Sequence, residues 1–441
     1  MNILLIGHGA REHVIAETFR KNKEVKLFSF MKSKNPRIAA LSKKIVVGSY
    51  SDLNGISKFA KNNYVDLAFI GPEDPLNNGV VDALKDIGVE SVGPTKSMTR
   101  LESSKSFTRN LLEKHQIDGN IKFTVLSKDN LDELRSFLND IDQAVVKPDG
   151  LTGGKGVRVQ GDHFNTKEEA FEYCEEVLET HELVVVEEKL DGEEFSLQCL
   201  TDGKTVVPTP VAQDHKRAYD GDKGPNTGGM GSYSCENHLL PFLNKDHVDK
   251  ALEITKKVSE AIYKETGQFY KGVMYGGFIL TKDGVKLIEY NARFGDPEAM
   301  NVLPLLRTDF ASICQAIILQ KLNQVNIDFE KKATVCKYAV PDGYPGNPVK
   351  DEKITIGPGK AKVYYASVEE KEDGLYMTGS RAIAFLGIGN SLEDAEKIAE
   401  ESICSAKGKI FHRKDIGTKA LIEKRVKQVY DQQILGNGVN N

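Results

Sequence analysis

A glycine-rich segment that carries lysines, VVKPDGLTGGKGVRV at 145–159, is the first stretch of this chain whose residue types suggest chemistry. Lys147 ends an apolar run, and Lys155 follows within the glycines. A glycine loop between two strands can fold over a triphosphate, because its backbone N–H groups are not obstructed by side chains. The Walker A spacing GxxxxGK[ST] is absent, so the segment is not a P-loop. It predicts a cover over phosphates, with a mobile hairpin tip as the alternative.

An acidic strand end follows in VVVEEKLDGEEFS, 184–196. Main-chain groups around Glu188 and Leu190 could face an adenine, and Glu194 could accept hydrogen bonds from ribose hydroxyls. Such acidic pairs are often only solvated strand ends. Their position after the lysine loop favours a nucleoside site.

A third segment, KLIEYNARFGDPE at 286–298, places Glu289 and Asn291 two residues apart. Alternate residues of a strand share a face. Two oxygen-bearing side chains on one face suit Mg²⁺, which takes one or two protein ligands beside phosphate oxygens. Arg293 would follow on that face and could hold a carboxylate through two hydrogen bonds. The alternative is a polar ladder on the protein surface.

The fourth segment, QDHKRAYDGDKGPNTGGMG at 213–231, is polar and nearly devoid of apolar residues. A loop this long without structure of its own is usually functional or disordered. We expect it to line a substrate, with disorder as the alternative.

The elements that must position these segments follow from apolar periodicity. Short apolar runs at 2–6, 25–30, 44–48 and 65–71 alternate with helical segments. This predicts an open parallel α/β domain over residues 1–102. Ligands of such sheets bind beyond the carboxyl ends of the strands, where GHGAREH and GPEDPL lie.

The rest of the chain predicts two further domains and a tail. Residues 103–327 would form the second unit, which carries the four segments. Within it, Thr166 and Glu169 form a capping box, and a helix over 246–266 is closed by Gly267. Residues 328–427 predict a small α+β domain with a helix that begins at Ser391, and 428–441 a frayed tail.

Bulk composition excludes several classes of protein. The formal charge of −5, from 59 basic and 64 acidic side chains among 441 residues, gives no electrostatic case for a nucleic-acid partner. The six cysteines form no CxxC pair, which fits a reducing cytosol. No apolar run approaches the roughly 18 residues of a membrane span. We expect a cytoplasmic protein without a membrane partner, and a monomer rather than a stable oligomer.

The four segments occur in an order that resembles one enzyme family. KPDGLTGGKGV, VEEKLDGEEFS, QDHKRAYDGDKGPNTGGMG and IEYNARFGDPE are similar to the signature of the phosphoribosylamine–glycine ligases, also called glycinamide ribonucleotide synthetases, of the ATP-grasp superfamily. GHGAREH, GPEDPL, LESSKSFTR and FHRKDIG extend the resemblance over essentially the whole chain. The resemblance implies that ATP, with Mg²⁺ or Mn²⁺, phosphorylates glycine, and that 5-phosphoribosylamine then attacks the acyl phosphate. It also implies that 103–327 is the ATP-grasp domain, with 120–190 as a mobile ATP lid.

The resemblance also implies roles for individual residues. Phosphate contacts would come from Lys105, Lys147, Gly153, Gly154, Lys155 and Gly156. The adenosine would contact Glu187, Glu188, Leu190 and Glu194, and the metal Glu289 and Asn291. Catalytic roles would fall to Arg293, Lys155, Asp214 and His215, with His215 more a positioning group than a base. Substrate contacts would come from Gly9, Arg11, Glu12, Pro72, Glu73, Asp74, Asp214, Lys216 and Arg293.

Two departures from the family pattern and three rival functions remain. GAREH stands where many members have GGREH, so Ala10 limits backbone freedom at that turn. FMKSKNP at 30–36 stands where many members carry an APGN-type loop, so Lys32 or Lys34 would have to supply phosphate contacts there. Another ATP-grasp carboxylate–amine ligase of purine synthesis would share the ATP machinery. A nicotinamide-dependent oxidoreductase is disfavoured, because Glu12 breaks GxGxxG. A nucleotide-binding sensor would not need the intact lysines and metal pair.

Overall fold

The fold is described here from a computed structural model, for residues 1–151 and 156–437. Gly153, Gly154 and Lys155, all predicted to contact phosphate, lie outside the described residues. No helix in the described ranges is both long and apolar enough to cross a bilayer.

The N-terminal sheet is parallel, with the strand order β3-β2-β1-β4-β5, which confirms the predicted α/β class. Its elements are β1 (Asn2–Ile6), α1 (Ala10–Arg20), β2 (Lys26–Met31), α2 (Pro36–Leu41), β3 (Lys44–Val47), α3 (Leu53–Asn62), β4 (Leu67–Ile70), α4 (Glu73–Asn78), α5 (Val80–Asp86) and β5 (Glu90–Val92). The strand order reverses between β1 and β4, so their carboxyl ends flank the crevice where ligands of open α/β sheets bind.

The segment predicted as the ATP lid forms a second sheet, which is antiparallel with the order β6-β9-β7-β8. The elements from the connecting helices onward are α6 (Arg100–Ser103), α7 (Lys105–Lys114), β6 (Phe123–Leu126), α8 (Glu133–Asn139), β7 (Ala144–Pro148), β8 (Arg158–Val159), α9 (Lys167–Thr180) and β9 (Val184–Glu188). Its helices pack on it around a core separate from the rest of the chain, which includes Leu134, Val146 and Leu178. The glycine-rich loop joins the paired strands β7 and β8, as predicted.

The third sheet, with the order β11-β10-β16-β17, carries the predicted metal pair. The elements of this part are β10 (Glu193–Thr201), β11 (Val206–Pro208), β12 (Gln213–Asp214), β13 (Arg217–Tyr219), β14 (Lys223–Asn226), β15 (Gly231–Ser234), α10 (Lys245–Thr266), β16 (Gly272–Thr281) and β17 (Gly284–Asn291). Helix α10 ends at Gly267, whose φ of 68° is left-handed, as glycine permits.

The polar segment 213–231 is not a structureless loop, and that prediction was wrong. It contains β12 and the paired strands β13 and β14. Its strands lack the apolar alternation from which strands are predicted. Ionic contacts hold them in place instead. Arg413 donates to the Arg217 carbonyl and pairs with Asp222, and Arg217 pairs with Asp162 of the lid.

The C-terminal part is a mixed α+β unit, as predicted. Helices α11 (Glu298–Val302) and α12 (Phe310–Ile318) precede it. The elements after residue 328 are β18 (Ala333–Pro341), β19 (Lys353–Ile354), β20 (Lys362–Tyr365), β21 (Val368–Lys371), β22 (Gly374–Met377), β23 (Ile383–Gly389), α13 (Leu392–Cys404), β24 (Ile410–Phe411) and α14 (Lys419–Asn437). Strands β12 and β15 join its sheet, β12-β15-β18-β23-β20, so this sheet crosses residue 328. Helix α14 likewise continues past residue 428.

Helix boundaries follow the predicted caps. The Thr166 side chain accepts from the Glu169 N–H and the Glu169 carboxylate accepts from the Thr166 N–H, which completes the capping box of α9. The Ser391 hydroxyl likewise accepts from the Asp394 N–H at the start of α13.

Candidate active site

Charged side chains from three elements converge between the lid sheet and the β10-β16-β17 sheet. Glu289 of β17 is half-buried among Lys216, Lys147 and Lys105. Burial would raise the pKa of Glu289, but these three positive charges, together with that of Arg293, outweigh it and lower the pKa. The convergence of lysines around one carboxylate makes a site for an anion with several negative charges, accompanied by a cation.

On the lid side, the Glu187 carboxylate lies between two cations. It accepts from Arg109 Nε at 2.7 Å and lies 2.6 Å from Lys147 Nζ. Burial opposes ionisation, yet the charges of Arg109 and Lys147 lower the pKa of Glu187 to about 2. The side chain predicted to contact adenosine is therefore already occupied, and any adenine contact at this position would come from the backbone.

Arg109 was missed by the sequence analysis, although LESSKSFTR ends with it. Besides Glu187, it donates to the carbonyls of Leu287 at 3.0 Å and Ile288 at 2.8 Å. It thereby joins the lid strand β9 to β17. The signal for it is indirect, because a carboxylate in an apolar strand requires a buried cation from elsewhere in the chain.

The start of the glycine-rich loop is held against α7. Asp149 accepts from the N–H of Ser106 at 3.1 Å and from the hydroxyls of Ser104 and Ser106. Lys105 Nζ donates to the Gly150 carbonyl at 2.8 Å. Burial, together with the charge of Lys147, lowers the pKa of Lys105. At the other end of the loop, the Gly156 carbonyl accepts from the Tyr173 hydroxyl at 2.6 Å.

The predicted nucleoside residues lie at the junction of the lid with β10. The Glu188 carboxylate accepts from the Lys122 N–H at 2.9 Å, and Leu190 is half-buried nearby in sequence. Glu194 lies 3.0 Å from Lys216 Nζ, and its side chain is 48% exposed. Glu194 and Lys216, predicted for ribose and substrate respectively, thus form one ion pair.

The side chains of residues 214–216 point alternately to two sides of the backbone. Asp214 and Lys216 face the site, where burial and the charges of Glu194 and Glu289 raise the pKa of Asp214 against the opposing charge of Lys216. For Lys216, the carboxylates Glu194, Asp214 and Glu289 overcome the effect of burial and raise its pKa.

His215 points to the opposite side, among Arg413, Arg425 and Tyr233. Burial, followed by the charges of the two arginines, lowers the pKa of His215 to about 3. Both ring nitrogens are buried and lack a hydrogen-bond partner within the described ranges. The ring therefore has different charged neighbours from Asp214 and Lys216, and the catalytic role predicted for His215, as a positioning group more than as a base, stays a prediction.

Asn291 and Arg293 follow Glu289 at the end of β17. Arg293 Nη2 donates to Asn291 Oδ1 at 3.0 Å and lies 2.8 Å from Glu102 Oε1, while Nε donates to Glu73 at 3.2 Å. Glu102 was also missed. Its other oxygen accepts from the Ala292 N–H at 2.7 Å, so this one carboxylate fixes both the backbone and the side chain at this turn.

The two carboxyls beside Arg293 titrate differently. Burial raises the pKa of Glu102 to about 7 despite the charge of Arg293. Glu73 is half-buried, and although desolvation opposes its ionisation, Arg293 and Arg11 together hold its pKa at about 2. Arg293 therefore has one permanently ionised partner and one whose charge changes near neutrality.

The predicted substrate residues of the first domain surround Glu12. The Glu12 carboxylate accepts from the Gly9 N–H at 2.6 Å and from Arg11 Nε at 2.6 Å. Arg11 also donates to the Phe294 carbonyl at 3.1 Å, which links the N-terminal sheet to the turn after β17. A Cβ on Gly7 would lie 2.2 Å from the Glu12 side chain, so this close approach requires glycine.

The GPEDPL residues lie at the start of α4, after β4. Pro72 caps the helix, Glu73 turns towards Arg293, and Asp74 is exposed. Gly9, Arg11, Glu12, Pro72 and Glu73 are thus brought together at the carboxyl ends of β1 and β4, close to Arg293.

The 30–36 loop borders a small cavity of about 40 Å³ at the contact with the C-terminal unit. Its lining includes His8, Lys34, Ser367 and Thr378. Asn35 fixes the loop by donating to the carbonyls of His8 at 2.9 Å and Tyr365 at 2.7 Å. Of the two candidate lysines, only Lys34 lines the cavity.

Arg381 is a further residue that sequence reasoning missed. Its Nη1 donates to the carbonyls of Gly228 at 2.5 Å, Gly229 at 3.0 Å and Asp296 at 2.9 Å. One guanidinium therefore holds the end of the 213–231 segment against the turn that follows β17.

Comparison with known families matches nearly the whole chain. Residues 1–102, 103–299 and 334–419 match, in this order, the models of the phosphoribosylglycinamide synthetase N domain, ATP-grasp (A) domain and C domain. The central match is to the ATP-grasp fold expected from the motifs.

Relatives in other organisms are similar over the full length. The phosphoribosylamine–glycine ligase of Methanocaldococcus jannaschii is 49% identical over 441 residues, covering 97% of this chain and 99% of that protein. The enzyme of the same name from Methanobrevibacter smithii is 47% identical over 439 residues, covering 97% of this chain and 99% of that protein.

Solved structures share the architecture. The phosphoribosylamine–glycine ligase of Thermotoga maritima superposes with a TM-score of 0.79 at 27% identity, over 94% of this chain and 100% of that one. The biotin carboxylase domain of Hydrogenobacter thermophilus 2-oxoglutarate carboxylase superposes with a TM-score of 0.71 at 14% identity, over 98% of this chain and 94% of that one. The second likeness shows the fold alone.

Proposed function

The chain belongs to the phosphoribosylglycinamide synthetase family, and we propose how its residues join glycine to 5-phosphoribosylamine with ATP. This ATP-dependent ligation, a step of purine biosynthesis, is the activity of the family. The observation that carries the residue-level proposal is the convergence of Lys105, Lys147 and Lys216 on Glu289.

The reaction proceeds in two steps. A carboxylate is a poor acyl donor, so ATP first phosphorylates glycine to glycyl phosphate and releases ADP. The amine of phosphoribosylamine then attacks the carbonyl carbon, the C–O bond to phosphate breaks, and glycinamide ribonucleotide and phosphate leave. Both steps depend on positioning and on neutralising the transferred phosphoryl group.

ATP lies between the lid and the β10-β16-β17 sheet. Lys105, Lys147 and Gly156 contact the phosphates; the same contacts predicted for Gly153, Gly154 and Lys155 fall on residues outside the described ranges. Because Glu187 is already paired with Arg109, Lys147 contributes charge to phosphate without leaving Glu187 alone. Backbone at Glu187, Glu188 and Leu190 frames the adenine. Glu194, on the edge of the site, receives the ribose hydroxyls.

Glu289 and Asn291 fit a divalent metal, either Mg²⁺ or Mn²⁺. They offer a carboxylate and an amide oxygen from one face of β17, which is the donor type that these ions prefer. Bound there, the ion would neutralise charge on the phosphate oxygens. Glu289 remains ionised to receive it, because the surrounding lysines lower its pKa.

Arg293 holds the glycine carboxylate and then the acyl phosphate, because a guanidinium presents paired donors to such groups. Its own orientation is fixed by Glu73, Glu102 and Asn291. Asp214, whose pKa is raised, accepts the proton that the attacking amine loses. His215 supports this segment from the other side and takes no part in proton transfer.

Phosphoribosylamine enters from the N-terminal sheet, beside Gly9, Arg11, Glu12, Pro72, Glu73 and Asp74. The cavity near His8 and Lys34 receives its phosphate, with hydroxyls from Ser367 and Thr378. Lys34 thereby replaces the contacts that an APGN-type loop would give. The six free cysteines support a reducing cytoplasm as its compartment, and a monomer remains our prediction.

The test uses the full chain with ATP, Mg²⁺ and freshly generated phosphoribosylamine. ADP release is followed with and without glycine, and the product is identified by mass. We expect release that requires both substrates and yields glycinamide ribonucleotide. ADP release with another carboxylate or amine in preference would overturn the substrate assignment and leave only the ATP site.

A further inference from the structure

A cluster of metal-binding residue types lies outside the active site, in the C-terminal unit. Glu400 and Cys404 are four residues apart on α13, and therefore adjacent on one helix face. His412 follows directly after β24 and reaches the same point. One donor atom from each of these three residues lies within 4.8 Å of the others. We refer to these three residues as the Glu400 cluster.

Both separations from the carboxylate oxygen fit one ion with tetrahedral bond angles. Glu400 Oε1 lies 3.3 Å from Cys404 Sγ and 3.2 Å from His412 Nε2. Zinc binds carboxylate, imidazole and thiolate at roughly 2.0–2.3 Å, which places tetrahedral donors about 3.3–3.6 Å apart. The observed separations are close to this range without any rearrangement of α13 or β24.

The carboxylate is already oriented by a neighbour. Glu400 Oε2 lies 2.6 Å from the fully buried Lys337 ammonium, whereas Oε1 faces the cysteine. His412 Nε2 lies 3.2 Å from both oxygens. Such outer contacts hold metal ligands in place in known metal sites. Lys337 also pairs with Glu396 at 2.7 Å, so two carboxylates share one ammonium and one negative charge remains uncompensated.

We propose that Glu400 Oε1, Cys404 Sγ and His412 Nε2 bind a zinc-class divalent ion, with a fourth position open to solvent. The thiol loses its proton to water as the S–metal bond forms. Thiolate and imidazole select zinc or a similar ion, whereas Mg²⁺ prefers oxygen ligands, so this site differs in chemistry from Glu289 and Asn291. Cys404 is exposed, which gives an ion access.

A bound ion would join α13 to the residues after β24, which contact the polar segment 213–231. Arg413, next to His412, pairs with Asp222 at 3.0 Å and with Asp415 at 2.7 Å. Asp415 in turn accepts from the Gly221 N–H at 2.9 Å. Through these contacts the ion would stabilise the position of the β13–β14 hairpin, and we assign it a structural role.

The experiment titrates the full chain, freed of metal by a chelator, with ZnCl₂ in the presence of saturating MgCl₂. Zinc uptake is measured by competition with a chromophoric chelator, and CoCl₂ replaces zinc to reveal a thiolate-to-cobalt charge-transfer band. We expect one tight zinc per chain and the cobalt band. Cys404→Ser removes the band and weakens zinc binding by about tenfold or more.

His412→Ala gives a second, independent loss of zinc affinity, and Glu401→Gln, at an exposed neighbour on α13, serves as the matched control. Mg²⁺-dependent ligase activity measured without zinc shows that each variant is folded. Absence of zinc binding by the unmodified chain, or unchanged zinc affinity in folded Cys404→Ser, would overturn the proposal and leave a hydrogen-bonded cluster.

Discussion

The charge clusters around Glu187 and Arg293 flank the proposed phosphate site, and they are built in opposite ways. At Glu187, one buried carboxylate lies between the cations of Arg109 and Lys147. At Arg293, one guanidinium lies among the carboxyls of Glu73 and Glu102 and the amide of Asn291. The first cluster has a surplus of positive charge, whereas the second acquires a surplus of negative charge once both carboxyls ionise.

The difference separates two tasks. Surplus positive charge beside the lid serves the ATP phosphates, and Glu187 stays ionised with a pKa of about 2 to keep the two cations in place. Around Arg293, Glu73 supplies the fixed counter-charge and Glu102, with a pKa of about 7, orients the guanidinium and the Ala292 N–H. Breaking each cluster should therefore affect different measurements.

The largest effect is expected from Glu187→Ala. This substitution leaves Arg109 and Lys147 buried beside each other without a counter-charge, and should reduce the free energy of unfolding by about 3–5 kcal/mol. Urea denaturation measures it. Glu182→Ala, at an exposed position just before β9, is the control, with a change of less than about 0.5 kcal/mol. Equal stability of the two variants would mean that the Glu187 cluster does not depend on charge compensation.

Arg293→Ala should act on catalysis instead. Loss of the guanidinium that holds the acyl phosphate should reduce kcat by about 10²–10³-fold. Arg293→Lys should recover only part of the lost kcat, because an ammonium lacks the paired donors of a guanidinium. Steady-state kinetics with all three substrates measures this. Arg307→Ala, whose side chain is 60% exposed, is the control. An unchanged kcat in Arg293→Ala would remove this residue from the mechanism.

One carboxyl from each cluster, Glu102 and Glu187, predicts an opposite dependence of stability on pH. Glu102 has its pKa raised from 4.5 to about 7 on folding, so the folded state binds more protons between these values and stability falls as pH rises through them. Glu187 has its pKa lowered from 4.5 to about 2, so its contribution is present above pH 4.5 and is lost as pH falls towards 2.

Glu102→Gln isolates the first dependence. The difference in unfolding free energy between the unmodified chain and this variant should change by up to about 3 kcal/mol between pH 4.5 and 7. Chemical denaturation at a series of pH values gives this difference. The contributions of other groups with raised pKa values are the same in both chains and therefore cancel. A difference that does not vary with pH would show that Glu102 keeps an ordinary pKa.

The smallest effect is expected at the sugar-phosphate cavity. Lys34→Ala removes one charge-assisted contact and should raise the KM for phosphoribosylamine by about tenfold, with kcat preserved. Lys32→Ala, at an exposed residue of the same loop outside the cavity lining, should change neither constant. The reverse result would transfer the phosphate contact to Lys32.

Sequence reasoning reached the residues whose roles are visible in local spacing. Glu289 and Asn291 lie on one strand face, and the glycine-rich loop joins two paired strands, because both features depend on a few neighbouring residues. The parallel N-terminal sheet likewise follows from the alternation of apolar strands and helices.

The partners of these residues could not be predicted in the same way. Glu102, Arg109 and Arg381 come from distant parts of the chain, and only tertiary packing selects which buried carboxylate or carbonyl each one meets. The surroundings of His215 could not be predicted either, because its neighbours in sequence face the site while its own ring lies near Arg413 and Arg425. The β13–β14 hairpin was missed because ion pairs, rather than apolar alternation, stabilise it.

The central claim is that glycine is activated as an acyl phosphate within the site formed by Lys105, Lys147, Glu289 and Arg293. Glycine labelled with ¹⁸O in both carboxylate oxygens tests it most directly, in a complete reaction with ATP, Mg²⁺ and phosphoribosylamine. Mass spectrometry of the inorganic phosphate should find one ¹⁸O atom transferred for each glycinamide ribonucleotide formed. Product formation with unlabelled phosphate would contradict the acyl phosphate and the roles that we assign to these residues.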